Sequence, residues 1–229
     1  MKLAIMQPYF MPYLGYFQAI AAVDKYVVYD DVQYIKGGWI NRNNLIISGQ
    51  KKMFTIIQDG ASPNKLINEI SFKDNFKGFL MTVKCNYSKA PFYSEVYPLI
   101  ESICNYPKKG LGEFIYNSYV EICNFLDVKT ELILSSSFEK DTTLKAEEKV
   151  MHICKLLGAD TYINAIGGQE LYSKEEFKEN GIDLYFIKMD NIEYKQFSNE
   201  FIPNLSIIDV LMHNGKEGTK ELLNRYTLV

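Results

Sequence analysis

The opening of the chain constrains the fold most. Residues 2–6 form a short apolar run that stops at Gln7-Pro8, and Pro12 then introduces residues 13–22, whose apolar positions recur at helical spacing. Asp24 separates that segment from Tyr26-Val27-Val28-Tyr29, a β-branched and aromatic run ending at Asp30-Asp31. Strand, loop, helix and strand in this order make one βαβ unit, and right-handed crossover makes its two strands parallel.

The same alternation returns later. Residues 144–157 read as an amphipathic helix ending at Gly158, followed by a strand at 161–165, a helix at 175–180 closed by Gly181, and a strand at 183–189. Residues 205–212 and 216–226 read as closing helices. Between the two α/β portions, residues 44–47 and 52–57 around Ser48-Gly49-Gln50-Lys51 predict a hairpin, and 66–72 a further strand. Residues 75–127 turn helical, with breaks at Ala90-Pro91 and Tyr106-Pro107 and about three helices before a strand at 131–134. The expected class is α/β: a mostly parallel sheet flanked by helices, with a small antiparallel extension and a helical insert at about 75–127. A chain of 229 residues fits one domain, 1–229.

Composition narrows the function. With 25 basic and 28 acidic residues the net charge is -3, so no global field holds DNA or an anionic membrane, although local basic patches remain allowed. No apolar run reaches membrane-spanning length, and the start lacks the basic region and cleavage site of a secretory signal, so the expectation is a cytoplasmic protein that is not membrane-embedded. Cys85, Cys104, Cys123 and Cys154 are widely spaced and mostly in helical apolar contexts, which predicts reduced core thiols, no metal site and no cofactor. The 17 Tyr and 14 Phe, many near Asn, Gln and Asp, suit core packing and also sugar or base stacking.

In an open parallel sheet ligands bind off the carboxyl ends of the strands. That selects Gln7, Tyr9 and Gly15 after the first strand, Asp30, Asp31, Gln33 and Lys36 after the second, and Asn164, Gly167, Gly168 and Gln169 after a later one. Gly15 opens a helix where backbone N–H groups could hold a phosphate, yet neither G-x-G-x-x-G nor a P-loop is present. Trp39 leads into Asn41-Arg42-Asn43, and Arg42, one of two arginines, suggests bidentate anion recognition. Ser206, Asp209 and His213 share one helix face, so Asp209 is placed to orient the imidazole for acid–base work, while Ser206 also fits an N-cap.

Five segments carry a family resemblance: residues 7–17 (QPYFMPYLGYF), 30–34 with Asn41-Arg42-Asn43, 87–91 (YSKAP), 163–172 (INAIGGQELY) and 201–215 (FIPNLSIIDVLMHNG). Together they resemble the WbqC-like family across essentially the whole chain. The resemblance implies bacterial O-antigen or other surface-polysaccharide biosynthesis, with transfer of a glycyl or similar acyl group to an amino sugar. The first 45 residues are also similar to the opening of nucleotidylyltransferases of the HIGH-motif type, which implies a Rossmann-like (HUP-like) sheet. Tyr13 and Tyr16 stand where those enzymes place histidines, which argues against adenylyl transfer by their mechanism.

The resulting expectation is a transferase that binds a nucleotide-linked amino sugar and accepts an acyl group from a donor the sequence does not identify. Asp30, Asp31 or His213 serves as base, Arg42 and the Gly15 helix terminus hold phosphate, and Asn164, Gln169 and Tyr9 meet sugar hydroxyls. Nucleotidyl transfer, non-catalytic sugar-nucleotide binding and a homodimer remain open.

Overall fold

The computed structural model describes residues 1–198 and 200–229. Among the described residues ten strands and seven helices follow in chain order: β1 (Lys2–Met6), α1 (Leu14–Ala21), β2 (Lys25–Val28), β3 (Arg42–Ile47), β4 (Gln50–Thr55), β5 (Gln58–Asp59), β6 (Ser71–Phe72), α2 (Lys77–Tyr87), α3 (Tyr93–Cys104), α4 (Leu111–Phe125), β7 (Glu131–Leu134), α5 (Ala146–Leu156), β8 (Thr161–Ala165), α6 (Lys174–Glu179), β9 (Asp183–Met189), α7 (Ile207–Leu223) and β10 (Tyr226–Leu228).

The main sheet has the order β10-β9-β8-β1-β2-β7. β1 pairs in parallel with both β2 and β8, β2 with β7 and β8 with β9, and only β10 runs antiparallel, against β9. This is a Rossmann-like sheet whose strand order reverses at β1, so the crevice between the carboxyl ends of β1 and β8 is the topological switch point.

Alternation along the strands divides the core between the two faces. Leu3 and Ile5 of β1 join Val27, Tyr162, Leu184 and Phe186 against Val150, Ile153 and Cys154 of α5 and Phe177 of α6. Ala4 points the other way, into a larger cluster with Tyr16, Phe17, Tyr26, Phe114, Ile115, Tyr119 and the apolar side of α7. The helices α2, α3 and α4 contribute to that same cluster.

The structure revises several boundaries. The hairpin turn is the two-residue Ser48-Gly49, both at positive φ (54° and 75°), which matches the twist of β3 and β4; β3 begins two residues earlier than expected, and β4 runs from Gln50 to Thr55 rather than over 52–57. Residues 67–69 form a 3-10 turn, and the strand expected over 66–72 shrinks to β6, paired with β5. The last predicted helix stops at Leu223, and 226–228 become an edge strand instead. Gly215 interrupts α7 at φ 63°, ψ -165°, a conformation open to glycine alone, and a Cβ there would lie 2.4 Å from Phe92 Cδ1. Among the described residues no helix is long and apolar enough to cross a membrane.

Candidate functional site

The loop leaving β1 is held along nearly all of its backbone. Tyr16 donates its hydroxyl to the Gln7 carbonyl at 2.6 Å, and Tyr119 accepts from the Tyr9 N–H while donating to the Tyr9 carbonyl, both at 2.6 Å. Phe10 N–H bonds the Ile40 carbonyl at 2.9 Å, while the Phe10 ring is buried among Phe54, Phe76, Phe79 and Phe114. Met11 takes a left-handed φ of 45°, and its carbonyl accepts from Asn43 Nδ2 at 2.8 Å and Ser206 Oγ at 2.7 Å. Pro12 receives the Ile207 N–H at 2.7 Å. A loop fixed this way presents its outward side chains without further ordering cost.

Those side chains wall a cleft of about 420 Å³ lined by Tyr9, Pro12, Tyr13, Trp39, Asn43, Asn44, Lys51 and Asn204. Trp39 stands on the loop before β3, and three further segments meet here: the β1 loop, the β3–β4 hairpin and the strand-less run before α7. Lys51 Nζ donates to the Pro203 carbonyl at 2.9 Å and joins the last two. Ser206 N–H bonds the Asn44 carbonyl at 2.9 Å, so the N-cap of α7 touches all three walls. Burial raises the Tyr13 hydroxyl above its ordinary value, and burial with the neighbouring Tyr13 does the same for Tyr9. Both phenols are therefore protonated donors at neutral pH. Aromatic faces, carboxamides, one proline and one cation form the lining.

Gly15 makes room for this wall. A Cβ there would meet Tyr13 Cε2 at 2.5 Å, so the Tyr13 ring lies directly over the first turn of α1, the place considered for phosphate. Trp39 carries the Arg42 guanidinium at 5.7 Å from its ring centroid, and Arg42 also donates to the Gly37 carbonyl. Asn41 is buried, donating to the Ile56 carbonyl at 3.0 Å. Gln33 and Lys36 are exposed on the adjoining loop.

The structure places the remaining sequence-selected residues in three other surroundings. Asp30 is 2% exposed and accepts from Ser136 N–H at 2.9 Å and Ser136 Oγ at 2.6 Å, tying the end of β2 to the turn after β7; burial raises its carboxyl. Asp31 pairs with Lys140 at 2.6 Å. At the end of β8, Asn164 accepts from the Ala165 N–H at 2.8 Å and packs on Gly168, while Gly167 and Gln169 face solvent.

Asp209 is fully buried on the first turn of α7. It accepts from Tyr87 at 2.9 Å, Tyr194 at 2.7 Å and Gln196 Nε2 at 2.9 Å. His213 Nε2 lies 3.8 Å from Asp209 Oδ1, outside hydrogen-bond distance, in a box of Tyr87, Tyr194 and Phe197. Burial lowers its pKa, with Asp209 opposing, so the imidazole is held neutral. Among the described residues no group of three or more His, Cys, Asp or Glu is placed to hold a metal ion.

Of the residues selected from sequence, the cleft gathers Tyr9 and Trp39, with Arg42 behind Trp39. Asn43, Asn44, Lys51 and Asn204 escape the strand-end rule because the hairpin and the run before α7 lie off the main sheet, whereas Pro12 and Tyr13 lie on the β1 loop that the rule reaches and join Tyr9 there. Adjacent Asn43-Asn44 after Arg42 was the signal available.

A Rossmann-like sheet whose β1 loop opens onto an aromatic and carboxamide cleft defines the class as an α/β protein of doubly wound type. Residues 7–221 match the WbqC-like protein family, and the chain belongs to it. The uncharacterized protein Rv1507c of Mycobacterium tuberculosis is similar at 28% identity over 221 residues, covering 94% of this chain and 95% of its own length. No solved structure matches the chain.

Proposed function

We propose that the protein serves surface-polysaccharide biosynthesis by holding a nucleotide-linked amino sugar in the cleft and passing a glycyl or similar acyl group to its amine. The carrying observation is the lining: three aromatic faces, three asparagines and one lysine around about 420 Å³. Tyrosine and tryptophan faces cover the C–H faces of a pyranose, carboxamides donate to and accept from its hydroxyls, and Lys51 answers a phosphate. Membership of the WbqC-like family supports the polysaccharide setting. In the transfer step the amine nitrogen forms a bond to the acyl carbon, the donor's leaving group departs with the C–X electron pair, and the amine loses its extra proton.

A second reading, sugar-nucleotide binding without turnover, is favoured by one observation: the lining contains no carboxylate, imidazole or thiol to take that proton. Thermal shift against amino-sugar nucleotides, the matching free nucleotides and uncharged sugars tests the binding both readings share, since a ligand of the native state raises the midpoint. Mass spectrometry of the sugar after incubation with acyl donors separates them. A gain of one acyl group supports the transferase, and an unmodified but bound sugar supports the binding protein. A midpoint unmoved by every amino-sugar nucleotide overturns both.

A further inference from the structure

The hairpin next to the cleft is chemically unlike the rest of the molecule. Residues 35–65 hold five cations, Lys36, Arg42, Lys51, Lys52 and Lys65, against the single carboxylate Asp59. That segment carries +4 in a chain of net charge -3, leaving -7 on all other residues. Asp59 is itself paired with Lys73 at 2.9 Å, so it does not neutralise the five.

Exposed large apolar side chains collect in the same place. Ile35 is 54% exposed, Trp39 45%, Met53 48% and Ile57 64%. Single exposed apolar residues are ordinary, but a group of four around lysines is an amphipathic face. Backbone bonds hold the segments that carry these side chains together: Tyr34 N–H to the Lys65 carbonyl at 2.9 Å, Gly38 N–H to Ile35 at 3.1 Å and Ile56 N–H to Asn41 at 2.7 Å. The register pairs Met53 with Asn44 and Lys51 with Ile46, so Met53 neighbours two residues of the cleft wall. β4 is also an edge strand, paired on one side only.

We propose that this face docks on an anionic lipid bilayer, with the mouth of the cleft turned toward the membrane surface. The uneven charge orients the approach: the +4 segment is drawn to the surface and the -7 remainder is pushed away. Ile35, Met53 and Ile57 enter the interfacial layer, and Trp39 sits at headgroup level with its indole N–H in the polar zone. A soluble polyanion uses the lysines but leaves those aliphatic side chains in water, which is why a bilayer is the better fit. The proposal stands apart from the sugar reading, since vesicle binding requires no ligand.

Co-sedimentation of the full chain with vesicles tests it. Vesicles of phosphatidylglycerol with phosphatidylcholine bind the protein, vesicles of phosphatidylcholine alone bind it far less, and added salt weakens the anionic case. Each juxtamembrane lysine contributes roughly five-fold, so Lys36→Gln with Lys52→Gln weakens partitioning by about 25-fold. Ile57→Ser, at a position outside the cleft and well exposed, weakens it roughly ten-fold with little change in salt dependence. Unchanged thermal midpoints in these surface variants exclude unfolding as the cause. Absence of partitioning into anionic vesicles at low salt overturns the proposal. So does binding to a soluble acidic polysaccharide or RNA with none to vesicles, or a dimer in sedimentation velocity that Ile57→Ser dissolves while vesicles are ignored.

Discussion

Asp209 should be the most costly polar residue to remove. Its carboxylate is fully buried and receives three neutral donors, from Tyr87, Tyr194 and Gln196. Hydrogen bonds to a charged group contribute about 1.5–3 kcal/mol each, and donors left buried without a partner cost a further share. Asp209→Ala orphans all three, and with partial relaxation the expected loss is about 4 kcal/mol. For a chain of this size that lowers the thermal midpoint by roughly 8–16 °C. Asp209→Asn should cost less, about 1–2 kcal/mol, because one oxygen still accepts and the Tyr87 hydroxyl can turn to accept from the new amide. Denaturant unfolding of Asp209→Ala, Tyr194→Phe and the double variant gives the coupling. Tyr194→Phe should cost about 1.5–3 kcal/mol alone and under about 0.5 kcal/mol once Asp209 is gone. An Asp209→Ala protein within about 1 kcal/mol of the parent, or two losses that simply add, would refute the hub.

Asp30→Asn should leave stability at pH 7 within about 1 kcal/mol of the parent, since Ser136 still finds one acceptor and one donor and the buried charge is removed; a larger loss by denaturant unfolding contradicts that reading. His213 gives a pH test. Its folded pKa lies below the ordinary 6.5, so below about pH 6.5 the unfolded chain takes up a proton the folded one refuses, and stability falls as pH drops, with no dependence above. His213→Gln should flatten that slope between pH 5 and 6.5, and an unchanged slope assigns it to other groups. Gly215→Ala should cost about 3 kcal/mol or more, through a backbone region closed to alanine and the clash with Phe92; a midpoint shift under about 2 °C argues that α7 straightens instead.

The main sheet was legible because its strands announce themselves locally. Runs such as Tyr26-Val27-Val28 are bounded by charges or glycine, and α5 carries a clear apolar stripe. The closing strand was not: Tyr226 continues the apolar spacing of α7, and only pairing with Met189 makes it extended. The cleft was half-visible for a similar reason. Tyr9 follows a strand end and could be chosen by rule, whereas Asn204 joins it only through the bond from Lys51 to Pro203, a contact spanning 152 positions. The aromatic richness also had a second use that composition does not separate from ligand stacking. Tyr16, Tyr87 and Tyr119 are buried and spend their hydroxyls on backbone or carboxylate. Acidic residues chosen for position, Asp30 and Asp31, are occupied by Ser136 and Lys140, partners more than 100 residues away.

The meeting of three walls on Ser206 makes the cleft a product of late assembly. Met11, Asn44 and Ser206 come from the beginning, the first quarter and the end of the chain, and the two bonds Ser206 makes, to the Met11 and Asn44 carbonyls, close only after α7 docks. A chain lacking residues 205–229 keeps β1, β2, β7, β8 and β9 and every lining residue, yet loses the Ser206 and Ile207 bonds that hold the β1 loop and the hairpin to the run carrying Asn204. On the proposed function, ligand affinity would report on the docking of α7, and a bound ligand would bridge segments from both ends of the chain.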